Sequence, residues 1–137
     1  MVKFLATCNT GAKGGLAAYR PGFGATRTMT AESLTCRMWL DTKRSVEQVK
    51  EASDYIAKQL PSTSRPDFYY WYYGSLSLRQ VGGPAWEVWS GAMKQVLPKL
   101  QLSDGSWTAD TKWGGYGGKV YSTAMAVLCL ESFYRYQ

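Results

Sequence analysis

The chain has 137 residues, 45% of them apolar and 15% aromatic, with a net charge of +6 and no histidine. That composition excludes a disordered chain and suits one domain with one core, with its large rings packed in that core or around a ligand. The cations are scattered and only Lys43-Arg44 forms a tight pair, which argues against the basic stripe of a nucleic-acid binder; no run approaches the roughly 20 apolar residues of a membrane span.

Residues 1–27 open with Met1-Val2-Lys3-Phe4-Leu5-Ala6-Thr7-Cys8. This has the outline of a lipoprotein signal, but its apolar stretch is shorter than the ~7–15 residues of a signal core. The compartment is left open, export of a longer protein included. A glycine-rich stretch from Gly11 to Gly24 follows. The first helix is expected over 28–40, capped by Thr28 or Thr30, with Glu32 at the positive end of its dipole. The second starts at Ser45, where Ser45 and Gln48 form a capping box. Its dry face is Val46, Val49, Ala52, Ile56 and Leu60, Pro61 stops it, and Lys50–Asp54 and Asp54–Lys58 lie four apart on its wet side.

The third segment runs from Phe68 through Tyr69-Tyr70-Trp71-Tyr72-Tyr73 to Leu78. Its rings would suit a strand, but its length, a cap at Asp67 and the stop at Gly82-Gly83 predict a helix. The fourth begins at Pro84 and buries Trp86, Trp89, Met93, Val96 and Leu100. Pro98, without an amide and crowding the Lys94 carbonyl, should bend or end it. The fifth, from about Tyr121 to Tyr136, is apolar nearly all round, which predicts burial on every side. Buried and amphipathic helices therefore alternate. Thr30-Ala31 and Thr123-Ala124 open the first and last helices 93 residues apart, a two-helix period of about 45 residues, as in helical repeat arrays. Of the three cysteines, Cys36 and Cys129 fall in apolar helical stretches and are expected as buried thiols; with Cys8 they make neither a disulfide framework nor a zinc site.

Gln101-Leu102-Ser103-Asp104-Gly105-Ser106-Trp107 fits Q-x-x-x-G-x-W. It resembles the repeat motif of squalene-hopene and oxidosqualene cyclases, in which Gln101, Gly105 and Trp107 would tie neighbouring helices together. Trp113-Gly114-Gly115-Tyr116-Gly117-Gly118, and the Tyr69–Tyr73 run, are similar to the prenyltransferase/squalene-oxidase repeat proteins of bacteria. The resemblance covers about four fifths of the chain and implies the terpenoid-cyclase/protein-prenyltransferase fold, an all-α α/α-toroid. The chain would supply one partial toroid domain. Residues 1–27 are the glycine-rich remnant of a preceding repeat, and residues 28–137 are about two and a half helical hairpins.

What the resemblance implies for chemistry is mostly negative. The cyclases carry their proton donor just before a Thr-Ala pair, where this chain has Thr28 and Met29; neither can donate a strong-acid proton. Glu32 is the one weak catalytic candidate. The prenyltransferase zinc site needs a histidine, so neither metal nor cofactor is expected. Tyr69, Tyr70, Trp71, Tyr72, Trp113 and Tyr121 would sit on or beside inner helices as ligand-binding rings or as packing. The expected function is a non-catalytic, cyclase-like repeat module that binds an apolar small molecule or a protein partner. The alternatives are a fragment of a cyclase whose acid lies in upstream repeats, and a structural or carbohydrate-contacting module of an exported bacterial protein. Uncapped terminal hairpins predict self-association.

Overall fold

The computed structural model describes residues 1–134 and is predominantly helical. It contains α1 (Val2–Thr7), a two-stranded antiparallel ribbon of β1 (Asn9–Thr10) and β2 (Leu16–Ala17), then α2 (Arg27–Trp39), α3 (Val46–Ala57), α4 (Phe68–Val81), α5 (Gly83–Leu100) and α6 (Gly114–Glu131). α4 is central and packs against α2, α3, α5 and α6. α2, α4 and α6 form one row, and α3 and α5 pack against each other beside it.

Local chemistry explains the helix starts. At α3 the capping box is formed reciprocally: the Gln48 amide donates to Ser45 Oγ at 3.2 Å, and the Ser45 amide donates to Gln48 Oε1 at 3.1 Å. At α4, Asp67 Oδ1 accepts from the Tyr70 amide at 3.1 Å. α2 is capped by Thr26, not by Thr28 or Thr30, because Thr26 is the extended residue whose Oγ1 accepts from the Met29 amide at 3.1 Å. Thr28 and Thr30 lie inside the helix. Glu32 consequently sits in the second turn, beyond the reach of the N-terminal dipole.

The helix ends depart further from the pattern. α3 stops at Ala57 with Lys58 as its C-cap, before Leu60 and Pro61. Val46, at its first position, is 80% exposed. Pro98 does not end α5, which continues to Leu100; one missing amide in a last turn costs little where the carbonyls find other donors. α6 begins at Gly114, earlier than expected, and is bent at Gly118, whose φ of 66° suits a residue without a Cβ. It is not buried all round. Ser122, Ala126 and Cys129 face inward, while Val120 and Val127 are exposed, because no element packs on its far side. Its expected extension to Tyr136 lies outside the described residues.

The core is aromatic. Trp71, Trp89, Tyr70 and Phe68 are all but fully buried with Ile56, Leu78, Met93 and Leu97. Edge-to-face pairs, Phe68–Trp71 at 5.1 Å and Tyr70–Trp89 at 5.4 Å, add about 0.5–1.5 kcal/mol each beyond area burial. The polar handles of Tyr70 and Trp89 are both used. The Tyr70 hydroxyl donates to the Ile56 carbonyl at 2.7 Å, and the Trp89 indole donates to Ser75 Oγ at 3.0 Å. The Trp107 indole donates to the Leu97 carbonyl at 3.0 Å. The last turns of both α3 and α5 are thus capped by rings from later segments of the chain, which satisfies carbonyls the helices themselves leave open. All three cysteines are free; Cys8 and Cys129 are buried, while Cys36 is partly exposed.

Candidate functional site

The two glycine-rich loops lead into α2 and α6 by the same device. Thr30 Oγ1 accepts from the Ala17 amide and Thr123 Oγ1 accepts from the Trp107 amide, both at 3.1 Å. The Thr-Ala pairs seen in the sequence therefore anchor the chain that precedes each helix. In the second loop the Q-x-x-x-G-x-W residues act together. Gln101 Nε2 donates to the Gly105 carbonyl at 2.8 Å, and buried Trp107 caps α5. Asp104 accepts from the Ser106 amide and pairs with Lys119 at 2.6 Å. Those bonds to Lys119 and Ser106 hold the Asp104 carboxyl well below the ordinary range. In the first loop Glu51 of α3 does the holding: its carboxylate accepts from the Gly15 amide at 2.8 Å and the Lys13 amide at 3.1 Å, which lowers its pKa.

Between the loops lies an open, largely apolar cleft of about 710 Å³. One wall is Tyr19 and the start of α2, through Thr28 and Met29; the floor includes Tyr69 from the first turn of α4. The other wall is Trp113, Tyr116 and Tyr121. The ends of all three helices of the row thus contribute. Two polar groups at the rim are engaged: Thr26 caps α2, and Lys112 Nζ pairs with Asp67 at 2.9 Å, tying the second loop to the start of α4.

Of the six rings expected around a ligand, Tyr69, Trp113 and Tyr121 line this cleft. Tyr70 and Trp71 are in the core, on the faces of α4 turned away from it, and Tyr72 packs partly buried against that core. Tyr19, Met29 and Tyr116 complete the lining. The 93-residue offset of the Thr-Ala pairs, carried back into the loops, aligns Gly22-Phe23-Gly24 with Gly115-Tyr116-Gly117. Phe23 does not line the cleft, however; the first loop's ring there is Tyr19, whose counterpart in that register is Lys112.

Glu32 stands beside the cleft. Burial pushes its carboxyl above the ordinary range, opposed by a hydrogen bond from Tyr69, and its Oε1 is buried without a partner. Burial and the nearby Glu32 carboxylate push the Tyr69 phenol up in turn. Catalysis would need a substrate atom within hydrogen-bond reach of such a group. Thr28 and Met29, neither of them an acid, line the cleft. Among the described residues no group of histidine, cysteine or carboxylate side chains is placed to hold a metal ion, and no helix is long and apolar enough to cross a membrane. No family model matches the chain, and no curated protein or solved structure matches it significantly.

Proposed function

We propose that the chain is a cyclase-like α/α-repeat module, part of a toroid, that binds an elongated apolar molecule without transforming it. The observation that carries this reading is the cleft of about 710 Å³ between the two glycine-rich loops, within the size range of small-molecule sites. Its rings and Met29 make the lining largely apolar, which ranks the apolar reading above the carbohydrate one. With Thr28 and Met29 in place of an acid, and with a cleft open to water, a protonated polyene would be neither formed nor protected. The cyclase-fragment alternative therefore needs an acid from repeats outside this chain.

The test is a titration of the purified chain with a C30 polyene, followed by tryptophan emission. Saturable quenching that is lost in Trp113→Ala supports the reading. Unchanged emission, with equal retention of the polyene by the variant, removes it. Cyclic products detected by mass spectrometry would make the chain an enzyme. A second reading, a protein partner, rests on α6, whose outer face presents Tyr116 at 90% and Val120 at 83% exposure. An apolar stripe of this kind is the face on which a repeat array receives its next helix.

A further inference from the structure

A second hollow of about 450 Å³ adjoins the main cleft, and Tyr19 and Met29 belong to both. Its lining is mostly apolar, with Phe4 and Leu5 of α1 and Ala17 and Ala18 of the ribbon facing α2. Three polar side chains in that wall are Glu32, Ser33 and Arg20. Ser33 Oγ accepts from Arg37 Nε at 3.1 Å, and the Arg20 guanidinium lies 4.1 Å over the Phe23 ring. Arg37 is further engaged with Asn9 Oδ1 at 2.6 Å. Glu32 keeps an unmet bond: the Tyr69 hydroxyl reaches the carboxylate, but Oε1 has no donor. Glu32 belongs to none of the ion pairs Lys50–Asp54, Lys112–Asp67 and Lys119–Asp104.

A buried carboxylate oxygen without a donor is costly, and that cost is relieved by a donor carrying positive charge. Aromatic rings nearby favour the same sign through their negative faces. We propose that Glu32 anchors the ammonium head of an amphipathic amine whose apolar body lies in this hollow and the adjoining cleft. The proposal rests on the apolar-ligand reading of the cleft and adds to it a charge and an orientation. Met29 and Tyr19, the latter 73% exposed, form the partition along which the chain of the ligand would pass.

The experiment compares decylamine, decanol and decanoate, below their aggregation thresholds, by isothermal titration at neutral pH. The overall charge of +6 by itself favours the anion, so a preference for the amine reports the site. The expected order is decylamine at least about tenfold tighter than decanol, with decanoate weakest. Glu32→Gln should bring decylamine to the level of decanol and leave decanol unchanged. That preference in the unaltered chain is read without any variant, so it stands even if Glu32→Gln folds poorly. Equal binding of amine and alcohol, or an amine preference that survives in folded Glu32→Gln, overturns the anchor while keeping the apolar cleft. Absence of binding by all three compounds overturns the cleft reading with it.

Discussion

The two glycine-rich loops perform the same anchoring task with different materials. In residues 11–24 the chain is held from outside: Glu51 of α3 gathers the amides of Lys13 and Gly15, and a small residue, Ala17, meets Thr30. In residues 101–118 the loop is largely self-supporting, through Gln101, Asp104 and Trp107. The flanks differ as well. The ribbon packs against α2, burying Ala17 and Ala18, whereas the far side of α6 is bare. The two loops thus share one hydrogen bond, from a loop amide to a helix threonine, while what stiffens each loop differs.

The contrast breaks most sharply at Trp107. Trp107→Ala should cost about 3–5 kcal/mol in denaturant unfolding, since it removes a buried ring and the donor to the Leu97 carbonyl. Ala17→Gly, at the matching place in the first loop, should cost no more than about 1 kcal/mol. Similar losses at the two positions would mean that the loops are not built differently. The next effect is steric. A Cβ at Gly15 would run into the Gln48 carbonyl oxygen, while one at Gly24 meets open space. Gly15→Ala is expected to lose about 1–3 kcal/mol, and Gly24→Ala to stay within about 0.5 kcal/mol of the parent.

The flanks are tested by association. Sedimentation velocity over a concentration series should show the chain self-associating through α6. Val120→Glu should weaken this by at least about tenfold, or about 1.4 kcal/mol. A monodisperse monomer at high concentration would show that the bare face of α6 needs no cover. The smallest effect is on pH dependence. Glu51 and Asp104 have folded pKa values below their ordinary ones. Their contribution is therefore present above the ordinary carboxylate range and is lost as pH falls through it. Glu51→Gln and Asp104→Asn should each flatten the acid limb of a melting-temperature profile. Glu32, with a raised pKa, has the opposite sign: its penalty holds at neutral pH and is relieved as pH falls. A steeper acid limb in either loop variant would contradict the assigned hydrogen bonds.

Much of the helical order was legible because it is local. Ser45 with Gln48, Asp67 before Phe68, and Pro84 after Gly82-Gly83 act within one turn, and the structure keeps all three starts. The row of α2, α4 and α6 beside α3 and α5 comes from the contacts, and α6 is not the fully buried helix that the alternation of stripes predicts. The run Tyr69–Tyr73 was less legible. Five consecutive rings on a helix point in every direction, so the sequence shows that they pack but not which meet the cleft. Only the neighbours of α4 separate Tyr69, at the cleft, from Tyr70 and Trp71, in the core.

What the sequence determined by itself is therefore what neighbouring residues decide among themselves: the caps of α3 and α4 and the break at Gly82-Gly83. Tertiary structure decided the rest. Glu32 reads in sequence as a favourable helix-start charge, yet the cap at Thr26 shifts it to the second turn, and α4 buries it against Tyr69. α6 reads as a helix enclosed on all sides, yet one side is open because enclosure depends on a neighbour, not on the helix's own composition. Burial, desolvation and an unmet hydrogen bond are properties of what surrounds a group, and those surroundings are assembled from residues far apart in the chain.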